Sequence, residues 1–211
     1  MDRLRVALVI PALNEDATIA AVVRGALRYG TCVVVDDGSS DSTADTARRA
    51  GAIVVSHQVN QGYDAALNSG CKAAAGASCD AIITLDADGQ HNPMLLQQFV
   101  DGLNNGADMV LGVRDQRPRL AEHVFAWYTQ RRFGISDPLC GMKAYRIGLY
   151  QALGHFDKQG SIGTELMLFG ARGNYKMASV EFKVAERSGQ PRFGRTLSAN
   201  LKIFRALYLA L

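Results

Sequence analysis

Short apolar runs alternate along the first half of the chain with segments whose hydrophobic residues have helical spacing. The runs cover residues 4–10, 32–35, 52–56, 81–85 and 109–112. Their starts lie about 28 residues apart, which is the length of one strand, one helix and two short loops. This alternation predicts a parallel sheet whose strands are joined by right-handed crossover helices.

Two of the intervening helices carry clear signals at their ends. The first is expected to begin near Asn14 or Asp16 and to end at Gly30, because glycine commonly follows the last helical residue. The fourth is expected to begin with Asn92 as the N-cap and Pro93 in the first turn. The predicted inner faces consist of Ile19, Val22, Val23 and Ala26 in the first helix and Leu95, Leu96, Phe99 and Leu103 in the fourth.

The second half of the chain has a less regular pattern. The predicted elements are a loop and helix over 113–134, a strand over 140–146, a helix over 164–172, a strand over 176–184, a loop over 186–195 and a helix over 196–211. No internal repeat or linker interrupts the chain. We therefore predict a single α/β domain.

The composition is that of a globular protein. Of the 211 residues, 48% are hydrophobic and 20% are charged, and the formal net charge is +3. This balance excludes a disordered or strongly basic chain, so no nucleic-acid partner is predicted. The four cysteines form no C-x-x-C pair, which argues against a zinc ribbon or a disulfide framework and favours a cytoplasmic protein. The sequence contains neither a signal peptide nor an uncharged apolar run of about 18 residues.

Several common nucleotide-binding and hydrolase motifs are absent from the sequence. There is no G-x-G spacing and no Gly-Lys pair, which excludes the dinucleotide fingerprint and the Walker A loop. The G-x-S-x-G and H-E-x-x-H motifs are absent as well. Hydride transfer, P-loop ATP hydrolysis, α/β-hydrolase chemistry and zincin chemistry therefore have no motif in their support.

Acidic residues follow two of the predicted strands. The second strand runs into Asp37, and the fourth runs into the segment DADGQ (86–90). Ligands of open parallel sheets bind at the carboxyl ends of the strands, so both clusters are expected to face one crevice. Residues i and i+2 of an extended segment project to the same side, so Asp86 and Asp88 can approach one cation, with Gln90 adding a neutral oxygen. Such ligands suit Mg²⁺ or Mn²⁺.

Plainer interpretations remain open for this segment. A chain with this aspartate content is expected to contain about one D-x-D by chance, and Asp86 and Asp88 could instead cap the following helix or solvate a loop. Their position after an apolar strand, in a sheet with a second acidic strand end, favours a metal–diphosphate site. His91 is expected to be a hydrogen-bonded loop residue, because oxygen ligands suffice for Mg²⁺.

Eight segments form an ordered series along the chain. They are VIPALNED (9–16), VVVDDGSSDST (33–43), NQGYDAALNSG (60–70), LDADGQHNP (85–93), GVR (112–114), SDPLCGMKAYR (136–146), GTEL (163–166) and RSGQPRFG (187–194). This series resembles the inverting family 2 glycosyltransferases, most of all the branch of dolichol-phosphate mannose synthases and polyprenyl-phosphate glycosyltransferases. The resemblance implies a single GT-A domain, with a Rossmann-like, mostly parallel sheet flanked by helices.

The same resemblance assigns roles to parts of the chain. It implies a nucleotide-sugar-binding half (1–112), an acceptor-side half (113–195) and an amphipathic C-terminal helix (196–211). It implies that the sugar nucleotide contacts Pro11, Leu13, Glu15, Val35, Asp37, Asp86 and Ala87. It implies that Mg²⁺ or Mn²⁺ is held on the diphosphate by Asp86, Asp88 and Gln90. Arg114 and Arg187 resemble phosphate-binding arginines of the family, and Asp137 corresponds to an acidic residue near the reacting centre.

The chain departs from the family pattern at several positions. Lys143 stands where relatives commonly have arginine, and Asp64 stands where they usually have glycine. The loop 187–192 is one residue shorter than the family's, with Arg192 as a candidate replacement for its lysine. A shorter segment 112–137 leaves the contacts of the acceptor phosphate open among Arg117, Arg119, Arg131 and Arg132.

These features predict a metal-dependent inverting transfer of a hexosyl group from a nucleotide diphosphate sugar to a polyprenyl or dolichyl phosphate. A lipid phosphate is mostly dianionic at neutral pH and needs no strong base. Transfer to a saccharide hydroxyl in surface-polysaccharide assembly is an alternative, and it would require a carboxylate base such as Asp137. A catalytically silent nucleotide-sugar-binding subunit is another. Glu15 and Asp37 also have plainer interpretations, as a first-turn helix charge and as a turn residue.

Residues 196–211 form a basic, amphipathic segment. A helix there places Leu201, Phe204, Leu207, Tyr208 and Leu211 on one face. This pattern fits an interfacial helix on anionic lipid at the cytoplasmic face of a membrane, and equally a helix that packs on the domain or makes a dimer contact. A peripheral membrane contact, a membrane-subunit partner and an oligomer therefore remain open.

Overall fold

The computed structural model describes residues 4–184 and 196–211. Within these ranges, seven strands form one sheet in the order β3-β2-β1-β4-β6-β5-β7. The strands are β1 (Val6–Ala12), β2 (Thr31–Asp36), β3 (Ile53–Ser56), β4 (Ala81–Thr84), β5 (Met109–Arg114), β6 (Lys143–Arg146) and β7 (Met177–Phe182). The helices are α1 (Asp16–Ala26), α2 (Thr43–Arg49), α3 (Tyr63–Gly76), α4 (Leu96–Asn104), α5 (Leu120–Phe133), α6 (Ile147–Leu153), α7 (Glu165–Arg172) and α8 (Thr196–Ala210). The five apolar runs of the first half all form strands, as predicted.

Strands β1 to β4 build the parallel block of the sheet. β1 pairs in parallel with β2 and β4, and β2 pairs in parallel with β3. The register places Ala12 of β1 beside Asp36 of β2, and Val9 of β1 beside Thr84 of β4. These strands therefore end at one edge of the sheet. The acidic segments that follow β2 and β4 meet at that edge, as the parallel arrangement predicts.

Strand β6 runs antiparallel to both of its neighbours, β4 and β5. Lys143 at the start of β6 pairs with Leu111 near the end of β5. The chain therefore leaves and re-enters the sheet at the same edge, because α5 does not carry it back to the opposite one. The residue pattern does not reveal this direction, since a buried strand has the same composition in either orientation.

Helices cover both faces of the sheet. In β1, Leu8 and Ile10 face one side and pack in the cluster that contains Phe99 of α4. Val9 faces the other side and packs in the cluster that contains Leu67 of α3. Burial on both faces explains why the strands are continuous apolar runs rather than alternating ones. The four cysteines are buried free thiols, in keeping with the absence of a disulfide framework.

The first and fourth helices confirm the predicted inner faces but differ at their ends. Helix α1 ends at Ala26, four residues before Gly30. Gly30 serves a different purpose, because a Cβ there would lie 2.2 Å from the carbonyl oxygen of Val6. Asn92 accepts a 3.0 Å hydrogen bond from the Met94 N–H, as an N-cap should, but the first turn is a 3-10 helix (Pro93–Leu95) before α4 begins. Helix α6, directly after β6, is not indicated by the sequence pattern.

The C-terminal helix α8 packs on α5 and also leaves an apolar face exposed. Its packed face consists of Ala199, Ile203, Ala206 and Ala210, all buried. Its exposed face consists of Leu201, Phe204, Tyr208 and Leu211. The Tyr128 hydroxyl of α5 donates to the Ala210 carbonyl at 3.0 Å and fixes the end of α8. The helix-packing interpretation is therefore confirmed, and the membrane contact stays a prediction. Among the described helices, none is long and apolar enough to cross a bilayer.

Candidate active site

Asp86 stands just past the end of β4, in a space that a glycine makes available. A Cβ on Gly141 would lie 2.2 Å from Oδ2 of Asp86, so only glycine allows this carboxylate its position. The hydroxyl of Tyr63, the first residue of α3, donates to Asp86 Oδ1 at 3.4 Å. The Asp86 side chain keeps a third of its surface exposed. The carboxylate is thus positioned by its neighbours and remains accessible from the crevice.

The D-x-D segment forms a turn that is separate from the following helix cap. Asp88 Oδ1 accepts a 3.0 Å hydrogen bond from the Gln90 N–H, and Gly89 between them has a φ of +75°. The cap of the next helical turn is Asn92. The capping interpretation of Asp86 and Asp88 is therefore wrong. Their side chains and that of Gln90 are half-buried at the sheet edge.

His91 points a buried nitrogen toward the same carboxylate. Its Nδ1 lies 4.0 Å from Asp86 Oδ2 and has no hydrogen-bond partner among the described residues. Its ring packs edge-on against Phe182, with the ring centroids 5.5 Å apart. The expected hydrogen bonds of a loop histidine are thus not seen at Nδ1. An orphaned buried donor or acceptor normally has a partner in the functional state.

The acidic side chains suit a cation whose remaining ligands come from elsewhere. Within residues 4–184 and 196–211, no group of three or more His, Cys, Asp or Glu side chains is arranged as a metal site. Asp86 and Asp88 offer two carboxylates, and Gln90 offers an amide oxygen. Mg²⁺ is typically held by one or two carboxylates together with substrate phosphates and water. The donor set therefore fits a metal that arrives with a diphosphate.

Asp37 holds the loop that leads into α3. Its Oδ1 accepts from the Gln61 N–H at 2.9 Å and lies 2.7 Å from His57 Nδ1, and its Oδ2 accepts from the Gly62 N–H at 2.8 Å. The residue is 4% exposed. Asp37 is therefore neither an isolated turn residue nor a fully open ligand. A carboxylate has about four lone-pair positions, so one position is left for a nucleoside.

The other residues assigned to the nucleotide lie around the end of β1. Pro11 and Val35 are paired in the sheet and buried, and the Val35 side chain packs under Gly70 of α3. Leu13 is half-buried. Glu15 is the N-cap of α1, and its carboxylate accepts a 2.8 Å hydrogen bond from the Thr18 hydroxyl. The helix-start interpretation of Glu15 is thus realised in the structure. Ala87, between the two aspartates, is buried.

Arg114 and Asp137 form a buried two-pronged ion pair. Arg114 Nε donates to Asp137 Oδ2 at 2.8 Å, and Arg114 Nη2 donates to Oδ1 at 2.9 Å. Glu122, also buried, accepts from Arg114 at 3.2 Å and from Arg119 at 2.9 Å. Burial alone would raise the pKa of Asp137, but the hydrogen bonds and charge of Arg114 outweigh it and hold the pKa below its ordinary value. Asp137 is thus an ionised partner that orients Arg114.

The remaining arginines are distributed along the loop before α5 and along α5. Arg117 donates to the Ser136 carbonyl at 2.8 Å. Arg131 lies over the Trp127 ring and Arg132 over the Phe133 ring, both on the exposed surface of α5. Arg187 and Arg192 lie outside the described residues. The structure therefore brings Arg114 and Arg117 to the segment 136–137 before β6 and leaves Arg131 and Arg132 on the outer surface of α5.

A cavity of about 460 Å³ opens beside Tyr63. Its wall combines the start of α3, the loop 157–162 and α8, which contributes Lys202 and Arg205. The sequence predicts Tyr63 only as part of a turn into the third helix that could touch the nucleotide, because its contact with Asp86 joins two separate elements. Gly141 was noticeable only as a glycine within a family segment. Neither residue type signals a site without the tertiary contact to Asp86.

The comparison with protein families decides the classification. A model described as glycosyl transferase family 2 matches residues 7–154. This chain belongs to glycosyltransferase family 2. The matched region runs from β1 to the end of α6 and includes the D-x-D turn, Asp137 and Lys143. The family predicted from the eight segments is confirmed, and the protein is a glycosyltransferase.

Two curated relatives act on polyprenyl phosphates according to their names. A dolichyl-phosphate hexose transferase from Haloferax volcanii is 31% identical over 199 residues, which cover 88% of this chain and 85% of the relative. An undecaprenyl-phosphate 4-deoxy-4-formamido-L-arabinose transferase from Edwardsiella ictaluri is 30% identical over 217 residues, covering 93% of this chain and 65% of the relative. Some relatives are much longer than the matched region, which covers 45% of one of them. The resemblance to the polyprenyl-phosphate branch is confirmed.

Solved structures confirm the fold. Glucosyl-3-phosphoglycerate synthase from Mycobacterium tuberculosis, crystallised with Mn²⁺ and UDP-glucose, superimposes with a TM-score of 0.72 at 25% identity. The superposition covers 90% of this chain and 73% of that one. The predicted fold, a mostly parallel GT-A sheet with flanking helices and an amphipathic C-terminal helix, is therefore correct.

Proposed function

We propose that this glycosyltransferase moves a hexosyl group from a nucleotide diphosphate sugar to a polyprenyl or dolichyl phosphate, with inversion at the anomeric carbon. The pair Asp86 and Asp88, positioned at the carboxyl edge by Gly141 and the β4 register, carries the donor part of this proposal. The names of the Haloferax and Edwardsiella relatives support the lipid-phosphate acceptor. In this proposal, residues 1–112 form the half that binds the donor and residues 113–195 form the half that binds the acceptor.

Asp86, Asp88 and Gln90 would hold Mg²⁺ or Mn²⁺ on the diphosphate of the donor. A divalent ion between two phosphates stabilises the charge that develops on the leaving group without a proton transfer. The structurally similar synthase was crystallised with Mn²⁺ and UDP-glucose, which supports this assignment. His91, with its orphaned Nδ1 beside Asp86, would donate to the carboxylate or to a group bound near it.

The nucleoside would bind across the ends of β1 and β2. Pro11 and Val35 would form the floor of this site. Because their side chains are buried, the nucleoside would contact their backbone atoms. Leu13, Glu15 and Ala87 would line the edge of this surface. Asp37 contributes mainly by holding the 60–62 loop, with one acceptor position left for the nucleoside.

The ion pair of Arg114 and Asp137 favours a phosphate over a sugar hydroxyl as the acceptor. A hydroxyl acceptor requires a carboxylate that can take a proton, and Asp137 is 1% exposed, locked by Arg114 and low in pKa. A phosphate acceptor requires oriented arginines instead, because their planar guanidinium groups bind phosphate oxygens in pairs. Asp137 takes the Nε–Nη2 edge of Arg114 and Glu122 shares Nη2, so Nη1 is the atom that Arg114 would offer to a phosphate. Arg187 and Arg192 are further candidates for phosphate contacts.

Helices α5 and α8 offer a surface suited to a membrane. The exposed apolar side chains are Leu120, Val124 and Trp127 on α5 and Leu201, Phe204, Tyr208 and Leu211 on α8. The exposed charges beside them are basic, while Glu122, the acidic residue of α5, is buried. Apolar faces with basic flanks bind anionic lipid surfaces. A peripheral site at the cytoplasmic face of a membrane would bring the protein to its lipid acceptor.

The test is a transfer assay with two kinds of acceptor. Radiolabelled UDP- and GDP-hexoses are incubated with the purified protein and Mn²⁺, with either undecaprenyl or dolichyl phosphate or a panel of saccharides. We expect label in the lipid phosphate and loss of transfer with EDTA. Label in a saccharide alone would overturn the proposal that the acceptor is a lipid phosphate. Binding of nucleotide and Mn²⁺ without transfer to any acceptor would favour a silent subunit.

A further inference from the structure

One glycine in the loop before α7 is held by charged side chains through both of its flanking peptide groups. The N–H of Gly163 donates to Asp64 Oδ1 at 2.8 Å, and its carbonyl accepts from Lys143 Nζ at 2.9 Å. Asp64 lies in the first turn of α3, and Lys143 lies on β6 and is 3% exposed. Both side chains therefore meet on Gly163.

Gly163 and the residue before it both have a left-handed backbone conformation. Ile162 has a φ of +58° and Gly163 a φ of +66°. A positive φ is strained for a β-branched residue such as isoleucine and persists only where surrounding contacts enforce it. Asp64 Oδ2 supplies one of them by accepting from the Ile162 N–H at 3.3 Å. The strain indicates that the position of this segment has been fixed at the expense of local stability.

The rest of the loop is anchored to three elements. Asp157 Oδ1 accepts from the N–H groups of Gln159, Gly160 and Ser161, which winds the loop tightly. Asn68 of α3 accepts from the Phe156 N–H at 2.9 Å. Arg205 of α8 donates to the Gly160 carbonyl at 3.1 Å. The loop therefore joins α3, the sheet and the helix whose outer face is apolar.

This loop forms one wall of the cavity beside the metal-binding carboxylates. Gly160 and Ile162 line the cavity opposite Tyr63, whose hydroxyl contacts Asp86. A Cβ on Gly163 would lie 3.5 Å from the Tyr63 ring. A shift of the Gly163 peptide would thus change the distance between the cavity wall and Asp86.

We propose that Asp64 and Lys143 act as paired positioning residues for the acceptor. Together they clamp Gly163 through its N–H and its carbonyl, and they thereby fix the part of the loop that contacts Tyr63. The proposal rests on the proposed function. It assigns the cavity to the phosphate end of the acceptor, since the basic residues Lys158, Lys202 and Arg205 line it. Tyr63, whose hydroxyl contacts Asp86, belongs to the same wall. The clamp is predicted to influence acceptor binding and to leave binding of the nucleotide and metal unchanged.

The experiment measures acceptor and donor binding separately in four variants. Asp64→Asn, Asp64→Ala and Lys143→Met weaken or remove one side of the clamp, and the double variant of Asp64→Ala and Lys143→Met removes both. Asp101→Asn on α4 is the matched control. We expect the KM for polyprenyl phosphate to rise about tenfold in the alanine and methionine variants, the scale for losing a buried hydrogen-bond partner. The Kd for nucleotide with Mn²⁺ should change less than about twofold, within the scatter of unrelated surface substitutions.

Two further readouts separate positioning from a purely structural role. Burial, followed by the charge of Asp157, raises the pKa of Asp64 to about 6. Lys143 and Tyr63 also face this carboxyl group from β6 and α3. Because the charged form is the better acceptor for the two N–H groups, the acceptor KM of the unmodified protein should rise below pH 6. The KM of Asp64→Asn should rise less over the same range, because only protonation of the acceptor phosphate, with a second pKa near ~6, then contributes. The neutral asparagine should not lower the melting temperature, since burial opposes the charge it removes.

Hydrogen exchange tests the clamp without any activity. Amide exchange in the peptide that spans 157–166 should be faster in Asp64→Ala and Lys143→Met than in the unmodified protein. The double variant should exchange little faster than either single variant, because both side chains hold the same residue, Gly163. An unchanged acceptor KM together with unchanged exchange would overturn the clamp. Absence of transfer by the unmodified protein would overturn the proposed function and the acceptor role with it, while exchange would still show whether the clamp exists.

Discussion

The two halves of the sheet present their functional groups in different ways. In the first half, Asp86 and Asp88 follow a strand whose register places them at the carboxyl edge, and both remain partly exposed. In the second half, Asp137 and Lys143 are almost completely buried and are held by a partner. The first half, proposed to bind the donor, thus resembles an open ligand set, whereas the second half, proposed to bind the acceptor, contains compensated buried charges.

This difference has an energetic consequence. A half-exposed carboxylate can lose its charge with little effect on folding, because water already solvates it. A buried ion that loses its partner is left uncompensated, which is strongly destabilising. Substitutions of Asp86 or Asp88 should therefore remove function and spare the fold. Substitutions of Asp137 or Lys143 should reduce both function and stability.

The largest effect is expected from Asp88→Ala. Loss of the metal ligand should lower transfer about a thousandfold, equivalent to about 4 kcal/mol of transition-state stabilisation. The melting temperature without ligands should stay unchanged. Calorimetric titration of nucleoside diphosphate with Mn²⁺ measures the binding loss, and Asp45→Ala, at an exposed aspartate of α2, is the control. Unaltered titration heats in Asp88→Ala would refute the donor site.

Asp137→Ala should produce the largest loss of stability. It leaves Arg114 with Glu122 alone and should reduce the free energy of unfolding by about 3 kcal/mol, measured by urea denaturation. Asp80→Ala breaks the exposed pair with Arg5 and should reduce the free energy of unfolding much less. The pKa of Asp137 lies below its ordinary value, so its contribution is complete above about pH 4 and is lost as the pH falls through the folded pKa. Equal losses in the two variants at pH 7 would contradict the contrast between the halves.

Gly141→Ala tests the packing that connects the two halves. A Cβ there would displace the Asp86 carboxylate, so transfer should fall about tenfold, the lower end of what loss of a metal site's supporting contacts produces. The affinity for Mn²⁺ should weaken in parallel. Gly76→Ala, at the end of α3 with open space around it, is the matched control. Full activity in Gly141→Ala would show that Asp86 does not need this position.

The smallest effect is expected at the outer surface of α5 and α8. Replacing Trp127 and Phe204 together by alanine should weaken binding to anionic liposomes about fivefold and leave activity on a short-chain acceptor unchanged. Ile53→Ala, at a half-exposed residue of β3, controls for loss of apolar surface elsewhere. Liposome sedimentation measures the change. Identical sedimentation of the double variant and the unmodified protein would contradict the proposed membrane contact.

The donor side could be predicted from sequence because its signals are local. An apolar run followed by D-x-D defines a strand end, and parallel strands place their carboxyl ends at one edge. The inner face of α1 and the cap at Asn92 follow from spacing within a single helix. In contrast, the end of α1 was placed too late, because Gly30 is selected by the approach of Val6 rather than by the helix.

The acceptor side could be predicted only in outline. Asp137 was found through a family segment, but its pairing with Arg114 joins the loop before β6 to the end of β5. Tyr63 reaches Asp86 across the cavity, and Asp64 meets Lys143 on Gly163. No local pattern encodes such contacts.

The sequence by itself determined the alternation of strands and helices, the family, and the carboxylates at the strand ends, because each depends on neighbours within one or two turns of chain. The tertiary structure alone decided the reversed direction of β6, the burial of Asp137 and the double hold on Gly163. These depend on which distant segments share a low-dielectric interior, where a charge persists only beside a partner.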